Sequence, residues 1–187
     1  MDPEVLDLFE RSLRNATTEH TGNALDTALA NVGWRDALTM DPRAAISTLF
    51  HLQGVNNVSS SALGHVIGHA LGLGDRPALG VVLPAVGLWD PPGRMVDGHL
   101  QVDGLAPAVL CAHDYAAVVT SSERGDIAVV VPTASLTLTP VRGIDPYSEV
   151  LRVSAIDLHP DERVDLADSD WTSGVALARL ALGHEIV

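Results

Sequence analysis

The spacing of apolar residues changes period twice along this chain of 187 residues, and those two changes restrict its fold more than any single residue does. Residues 1–77 repeat every three to four positions, as amphipathic helices do. Residues 78–167 break into short, Val-rich, alternating runs separated by Gly, Pro and Asp, as strands and turns do. Residues 168–187 return to helical spacing and reach Ile186-Val187 with no cap and no polar tail. The expected class is α+β. It comprises an N-terminal helical domain over 1–77, a small antiparallel β-barrel or sandwich over 78–167, and over 168–187 the first helix of a C-terminal helical bundle that lies outside this sequence.

The helices carry their own punctuation. Asp2-Pro3 supplies a capping carboxylate followed by Pro at the first helical position, and Val5, Leu6, Leu8, Phe9 and Leu13 then give one apolar face. A second helix runs from about residue 23, carries Leu25, Leu29 and Val32, and stops at Gly33, with Trp34 plugging the junction. Asp41-Pro42 repeats the start signal for a face made by Ala45, Ile46, Leu49, Phe50 and Leu52, which Gly54 ends. Ser60 opens a fourth helix, closed by Gly72 and Gly74, and 72–77 is the expected linker. Residues 80–86 then read as a buried strand, and 99–102 as a strand turning at Asp103-Gly104. Residues 115–120 and 126–131 read as a hairpin about Glu123-Arg124-Gly125, with further strands at 135–139 and 149–155. Asp168-Ser169-Asp170 caps the last helix, whose apolar positions include Val175, Leu177, Leu180 and Ile186.

Composition narrows function by exclusion. The net charge is −13, and all 11 basic residues are Arg. So acidic a chain repels phosphate backbones, and nucleic acid is not an expected partner. The lack of Lys beside abundant Ala, Gly, Arg and Asp points to GC-rich bacterial coding. No apolar run approaches the ~20 residues of a membrane-spanning helix, so no membrane is expected either. Yet 47% of the residues are hydrophobic, a surplus that suggests a subunit interface. One cysteine, Cys111, allows no internal disulfide and no Cys-based metal site. Met1 is followed by acidic residues instead of a basic and apolar signal, which makes the cytoplasm the expected compartment.

Few side chains suggest chemistry by themselves. His65 and His69 share a helix face at i and i+4 and could hold a metal, but Val66 stands where a hydrolytic zinc helix needs Glu, and no third ligand is evident. Helix packing is their expected role, with no metal. His113 and Asp114 are neighbours that a strand would point to opposite faces. Cys111 reads as a small core residue, and Ser59-Ser60-Ser61 as a helix cap. Asp145, Asp157, Asp161, Glu162 and Asp165 read as a solvated acidic face. No Gly-rich loop has phosphate-cradling spacing between a strand and a helix.

Several short stretches, taken in order, resemble the acyl-CoA dehydrogenase family. Ala28-Leu29-Ala30-Asn31-Val32-Gly33-Trp34 is similar to its LAELGW stretch, and Val102-Asp103-Gly104 to its LNG turn. Val131-Pro132 and Val141-Arg142-Gly143-Ile144-Asp145-Pro146 resemble its V.P and GLDPT region. Residues 153–159 resemble its V.FDDVRVP strand, with Asp157 keeping one acidic position, and residues 176–187 resemble the start of its first bundle helix. The resemblance implies helical and β domains before a four-helix bundle, and FAD-dependent α,β-dehydrogenation of an acyl-CoA thioester. The family's flavin motif T-E-P-x-x-G-S-D falls on 82–89, where Pro84 and Gly87 match while Val82, Leu83, Leu88 and Trp89 replace Thr, Glu, Ser and Asp. Its W-I-[ST] motif, counted from Gly104, puts Ala108 at the Trp position and Leu110 at the Ser/Thr position.

The cofactor-facing positions implied are therefore Pro84, Gly87, Leu88 and Leu110. The family's catalytic Glu lies in the bundle, beyond Val187, so no catalytic residue is assigned. Val, Leu and Ala give a flavin neither donors for its polar edge nor an aromatic neighbour for its ring. The resemblance thus implies a hetero-oligomer in which FAD is bound mainly by a second acyl-CoA dehydrogenase subunit. Actinobacterial enzymes for steroid-derived acyl-CoAs look similar in having one degenerate partner. A homotetrameric dehydrogenase with divergent motifs, and a non-catalytic ligand-binding or scaffold protein of this fold, stay open.

Overall fold

The computed structural model describes residues 2–74, 76, 79–122, 125–142, 150–160, 162–166 and 170–186. Two compact units emerge, Met1–Gly74 with Ser173–Val187, and Asp75–Thr172. Several sequence signals lie outside the described residues: Glu123-Arg124, 143–146, Glu149, Asp161, Asp168-Ser169 and Val187.

The helical unit contains α1 (Pro3–Glu19), α2 (Gly22–Val32), α3 (Trp34–Met40), α4 (Pro42–Asn56), α5 (Ala62–Ala70) and most of α6 (Asp170–Glu185). Asp2 accepts the Glu4 N–H at 3.0 Å and Asp41 accepts the Ala44 N–H at 3.2 Å, each just before a Pro at the start of its helix. The Ala44 amide favours the ionised form and so holds the Asp41 carboxyl below its ordinary range. Gly33 ends α2 at φ +79, a conformation that costs other residues strain. Trp34 behind it is 1% exposed and begins α3, a seven-residue helix too short for its period to show in the sequence. The N-cap of α5 is Ser61, and Ser60 just before it accepts the Ala62 N–H at 3.2 Å while donating to Gln53 Oε1 at 2.8 Å.

Helix ends follow a shared device. The Gly72 and Leu73 N–H groups donate to the His69 and Gly68 carbonyls, so Gly72, at φ +69, closes α5 and Gly74 is not needed. α4 closes the same way on Asn57, at φ +51, and runs past Gly54 instead of ending there. Gly54 has another task. A Cβ on it would strike the Glu185 backbone, so its bare backbone lets α6 lie against α4. Leu13, Leu25, Leu29, Ile46, Leu49 and Phe50 fill the core, each burial being worth roughly 1.5–3 kcal/mol. Val5 and Leu8 fall off that face and are exposed, because the buried stripe of α1 is Phe9, Leu13, Ala16 and Thr17. The last helix also turns its small side inward. Gly174, Ala178 and Ala181 are buried, whereas Leu180, Leu182 and Ile186 are exposed, contrary to the expectation for Leu180 and Ile186. Close approach decides this, since Gly174 sits against Ala70 and Ile67.

The β unit holds β1 (Leu79–Val81), β2 (Leu83–Pro84), β3 (Gly93–Val96), β4 (His99–Pro107), β5 (Tyr115–Ser122), β6 (Gly125–Pro132), β7 (Thr137–Pro140), β8 (Val150–Leu158) and β9 (Glu162–Asp165). They form one sheet in the order β7-β8-β4-β3-β5-β6-β9, with β1 on β5 and β2 on β4. Pairing is mixed, not purely antiparallel, because β1 and β3 run parallel to β5. The chain leaves β4 through a 3-10 turn, Ala108–Ala112, instead of a hairpin, so β3 lies between β4 and β5, antiparallel to one and parallel to the other. β5 and β6 pair antiparallel as the expected hairpin does, with Ser122 opposite Gly125, so Gly125 belongs to β6 and not to the turn. Ser135 belongs to a 3-10 turn, Thr133–Ser135, and not to β7.

Asp103-Gly104 is not a turn. β4 runs through it, and the reversal occurs six residues earlier at Asp97-Gly98, with φ +51 and +85. The 80–86 run also breaks, since Val82 is buried and donates its N–H to Ala117, while Val86 is 89% exposed. Cys111 is exposed on the 3-10 turn, because Leu110 takes the inward position beside it.

Candidate functional site

Pro84 ends β2, opposite Gly104 of β4. Directly beyond it the chain makes a tight turn. The Leu88 N–H donates to the Ala85 carbonyl at 3.0 Å, and Gly87 has φ +80, as the third residue of a type II turn requires. This turn lifts its side chains into solvent, with Val86, Leu88 and Trp89 exposed to 89%, 56% and 57%. Its base is fixed, since the buried Trp171 donates its indole N–H to the Trp89 carbonyl at 3.1 Å.

Leu110 lies elsewhere. It is 1% exposed, in the β core with Val82, Val118 and Val131. A Cβ on Gly80 would collide with Leu110 Cδ1 and crowd His113 Cδ2, so Gly80 makes the space that Leu110 fills. The structure therefore brings Pro84, Gly87 and Leu88 together on one turn and places Leu110 in the β core. The cause is local. β4 stops at Pro107, whose missing N–H cannot extend a ladder, and the 3-10 turn that follows rotates Leu110 inward.

A flavin placed here would need hydrogen-bond donors. The side chains of Pro84, Gly87, Leu88 and Leu110 carry none, the Leu88 amide is spent on Ala85, and the Val82 amide on Ala117. Their side chains supply a flavin with no hydrogen-bond donor.

The other candidates resolve into structural roles. His65 Nε2 lies 3.1 Å from the Arg35 guanidinium, a cation where a metal would have to sit. Among the described residues no three His, Cys, Asp or Glu gather as a metal site. The His113 ring packs over Gly80, and the Asp114 carbonyl accepts the Thr133 N–H at 2.9 Å.

One polar cluster has no linear signature. His99 Nδ1 is 2.7 Å from Asp157 Oδ1, and the His159 ring meets His99 edge-on with centroids 4.3 Å apart. Between Leu100↔Leu158 and Val102↔Ala155, β8 carries one residue more than β4, and Asp157 sits in that bulge at φ +67. The bulge breaks strand alternation and turns Asp157 onto His99. Asp157 is thus solvated, as its sequence context implies, but also paired. Nearby, Arg152 forks onto Asp103 at 3.1 and 3.3 Å.

No family model and no curated protein matches the sequence. Solved structures do match. A variant of the Tcur3481-Tcur3483 steroid ACAD superposes with TM-score 0.68 at 15% identity, over 97% of this chain and 62% of that one. A glutaryl-CoA dehydrogenase from Mycobacterium smegmatis in complex with FADH2 gives 0.67 at 13% identity, over 99% and 62%. The ChsE4-ChsE5 complex from Mycobacterium tuberculosis gives 0.61 at 13% identity, over 96% and 61%. The chain spans about three fifths of the length of these proteins. Likeness at such identity is a likeness of fold. From its N-terminal helices through the mixed sheet to the helix that follows, this chain has the fold of the acyl-CoA dehydrogenases.

Proposed function

We propose that this chain is one subunit of an acyl-CoA dehydrogenase built from two kinds of chain, with FAD held chiefly by the other subunit. The reaction is α,β-dehydrogenation of an acyl-CoA thioester, with steroid-derived acyl groups as the proposed substrate class. One observation carries the reading: in a chain with the dehydrogenase fold, the positions that resemble flavin contacts offer no side-chain donor, and Leu110 is committed to the core. Two structures of similar fold are described as pairs of named chains, which supports a two-chain assembly. Net charge of −13 and the exposed apolar residues fit a protein that functions with part of its surface covered.

The test is co-expression of the full-length gene with its genomic neighbours and an absorbance scan of what co-purifies. A flavin spectrum that appears only with a second chain is the expected result. Stoichiometric flavin and turnover from this chain alone would refute the reading.

A further inference from the structure

The dipeptide Asp-Gly occurs twice in this chain, at 97–98 and 103–104, each time after Val. Asp-Gly is open to one spontaneous reaction, because Gly has no side chain to shield its own amide nitrogen. That nitrogen can bond to the Asp Cγ and close a five-membered imide, while the amide proton and the carboxyl hydroxyl leave together as water. Water then opens the imide at either carbonyl. One opening returns aspartate. The other gives isoaspartate, in which the main chain runs through the side-chain carboxyl carbon. No oxidant, reductant or enzyme is required. Ring closure needs the Asp ψ that the first central position of a type II′ turn has. It also needs a carboxyl and an amide that nothing else holds.

The two copies meet these needs differently. Asp97 and Gly98 link β3 to β4 across the Val96↔His99 pair, with φ +51 and +85, which is a type I′ turn. Types I′ and II′ share the positive φ at the first central position and the same two-residue hairpin. Rotation of the Asp97–Gly98 peptide plane therefore reaches the reactive geometry without moving either strand, and Gly98 accepts φ of either sign. Little opposes that rotation. Among the described residues the Gly98 N–H has no acceptor, and a Cβ on Gly98 would meet nothing within 4 Å. Asp103 and Gly104 are held on every side. Gly104 lies in β4 between Val153 of β8 and Pro84 of β2, the Asp103 N–H donates to the Pro92 carbonyl at 3.0 Å, and Arg152 forks onto the Asp103 carboxylate. The same peptide rotation here would pull Gly104 out of the ladder. We propose that Asp97 is a site of spontaneous isomerisation to isoaspartate, and that the fold protects Asp103 from the same reaction. The product adds one backbone atom between Val96 and His99, beside the His99–Asp157 contact.

The test ages the full chain at neutral pH in water carrying heavy oxygen, folded in one sample and in concentrated urea in another. Each imide opening takes one oxygen atom from the solvent, so the added mass marks every turnover. Trypsin leaves both sites on one peptide, residues 95–124, bounded by Arg94 and Arg124. Electron-transfer fragmentation of that peptide tells isoaspartate from aspartate at each position. In the folded chain, residue 97 should isomerise at least about ten times faster than residue 103, the factor that a barrier difference of about 1.4 kcal/mol gives. In urea the two rates should converge, because the turn and the ladder are gone. Equal rates in the folded chain overturn the proposal, as does an absence of isoaspartate at residue 97 there. A preference for residue 97 that survives in urea would assign the difference to flanking sequence and overturns it too.

Discussion

Replacing Gly104 with Ala puts one methyl group where the fold has no room for it. Gly104 lies mid-strand in β4, opposite Val153 of β8 on one edge and Pro84 of β2 on the other. A Cβ there would strike the Leu83 carbonyl oxygen and meet Val82 Cγ1 at 2.8 Å and Pro92 Cβ at 3.0 Å. Two of these obstacles are rigid, a strand carbonyl and a proline ring, so relief requires β2 to move off β4. Overpacking of this kind costs about 1–3 kcal/mol. Loosening a strand hydrogen bond adds about 1 kcal/mol, and burying the new methyl returns at most about 0.8 kcal/mol. The expected net loss is about 2 kcal/mol, which for a chain of this size lowers Tm by roughly 4–8 °C. Gly98→Ala is the control. Its φ is +85 but nothing lies within 4 Å, so it carries only the left-handed strain of about 1–2 kcal/mol. Calorimetric or chemical melts of the two variants decide the matter. If Gly104→Ala melts no lower than Gly98→Ala, the close approach of β2 to β4 is not the reason for the glycine.

Gly64 in α5 and Gly183 in α6 have open space around them; Ala at either should raise stability by about 0.5–1 kcal/mol in urea titrations, through helix propensity alone. Leu110→Ser should cost roughly 2–5 kcal/mol as a core truncation, whereas Leu88→Ser, on the exposed turn, should leave the urea midpoint near that of the wild type. Burial raises the Glu185 carboxyl above its ordinary value of 4.5, with a hydrogen bond to Gln53 pulling the other way. Its protonated form therefore stabilises the fold fully below the unfolded value, and that contribution is lost as pH rises through the folded one. Relative to Glu185→Gln, the wild type should thus lose stability as pH rises above the ordinary value of 4.5, and parallel melting curves on that rise would show the carboxyl to be unperturbed.

Helix limits were legible because caps act on groups within a turn of themselves. Asp2, Asp41 and Gly72 each bond or bend the backbone within five residues, so their positions in the sequence suffice. The glycines that fail this reading are those answering to distant atoms. Gly54 faces Glu185, and Gly104 faces Leu83, neither of which any local window contains. The tripeptide Val-Asp-Gly makes the point most sharply, since it occurs at both 96–98 and 102–104. The first copy reverses the chain with two positive φ values, and the second runs straight through β4. Identical residues cannot differ in local propensity. What differs is that β3 pairs back on β4 at Val96↔His99, while β2 lies over the second copy and needs a position without a side chain.

The same distinction separates the two leucines, Leu88 and Leu110, that the resemblance sets against hydroxyl residues. By sequence they are equivalent losses. In the fold, Leu110 has become part of the β core beneath Gly80, and Leu88 has become part of an exposed, hydrogen-bonded turn. A donor at residue 88 could be restored at little cost, but a hydroxyl at residue 110 would be buried without a partner and would leave a cavity behind it. The exposed apolar residues at 86, 88 and 89 add an argument of their own. An acidic chain gains nothing in solubility from a rigid turn carrying Val, Leu and Trp into water, and a single polar replacement at Val86 would disturb no packed neighbour. A turn of that composition makes physical sense when something covers it.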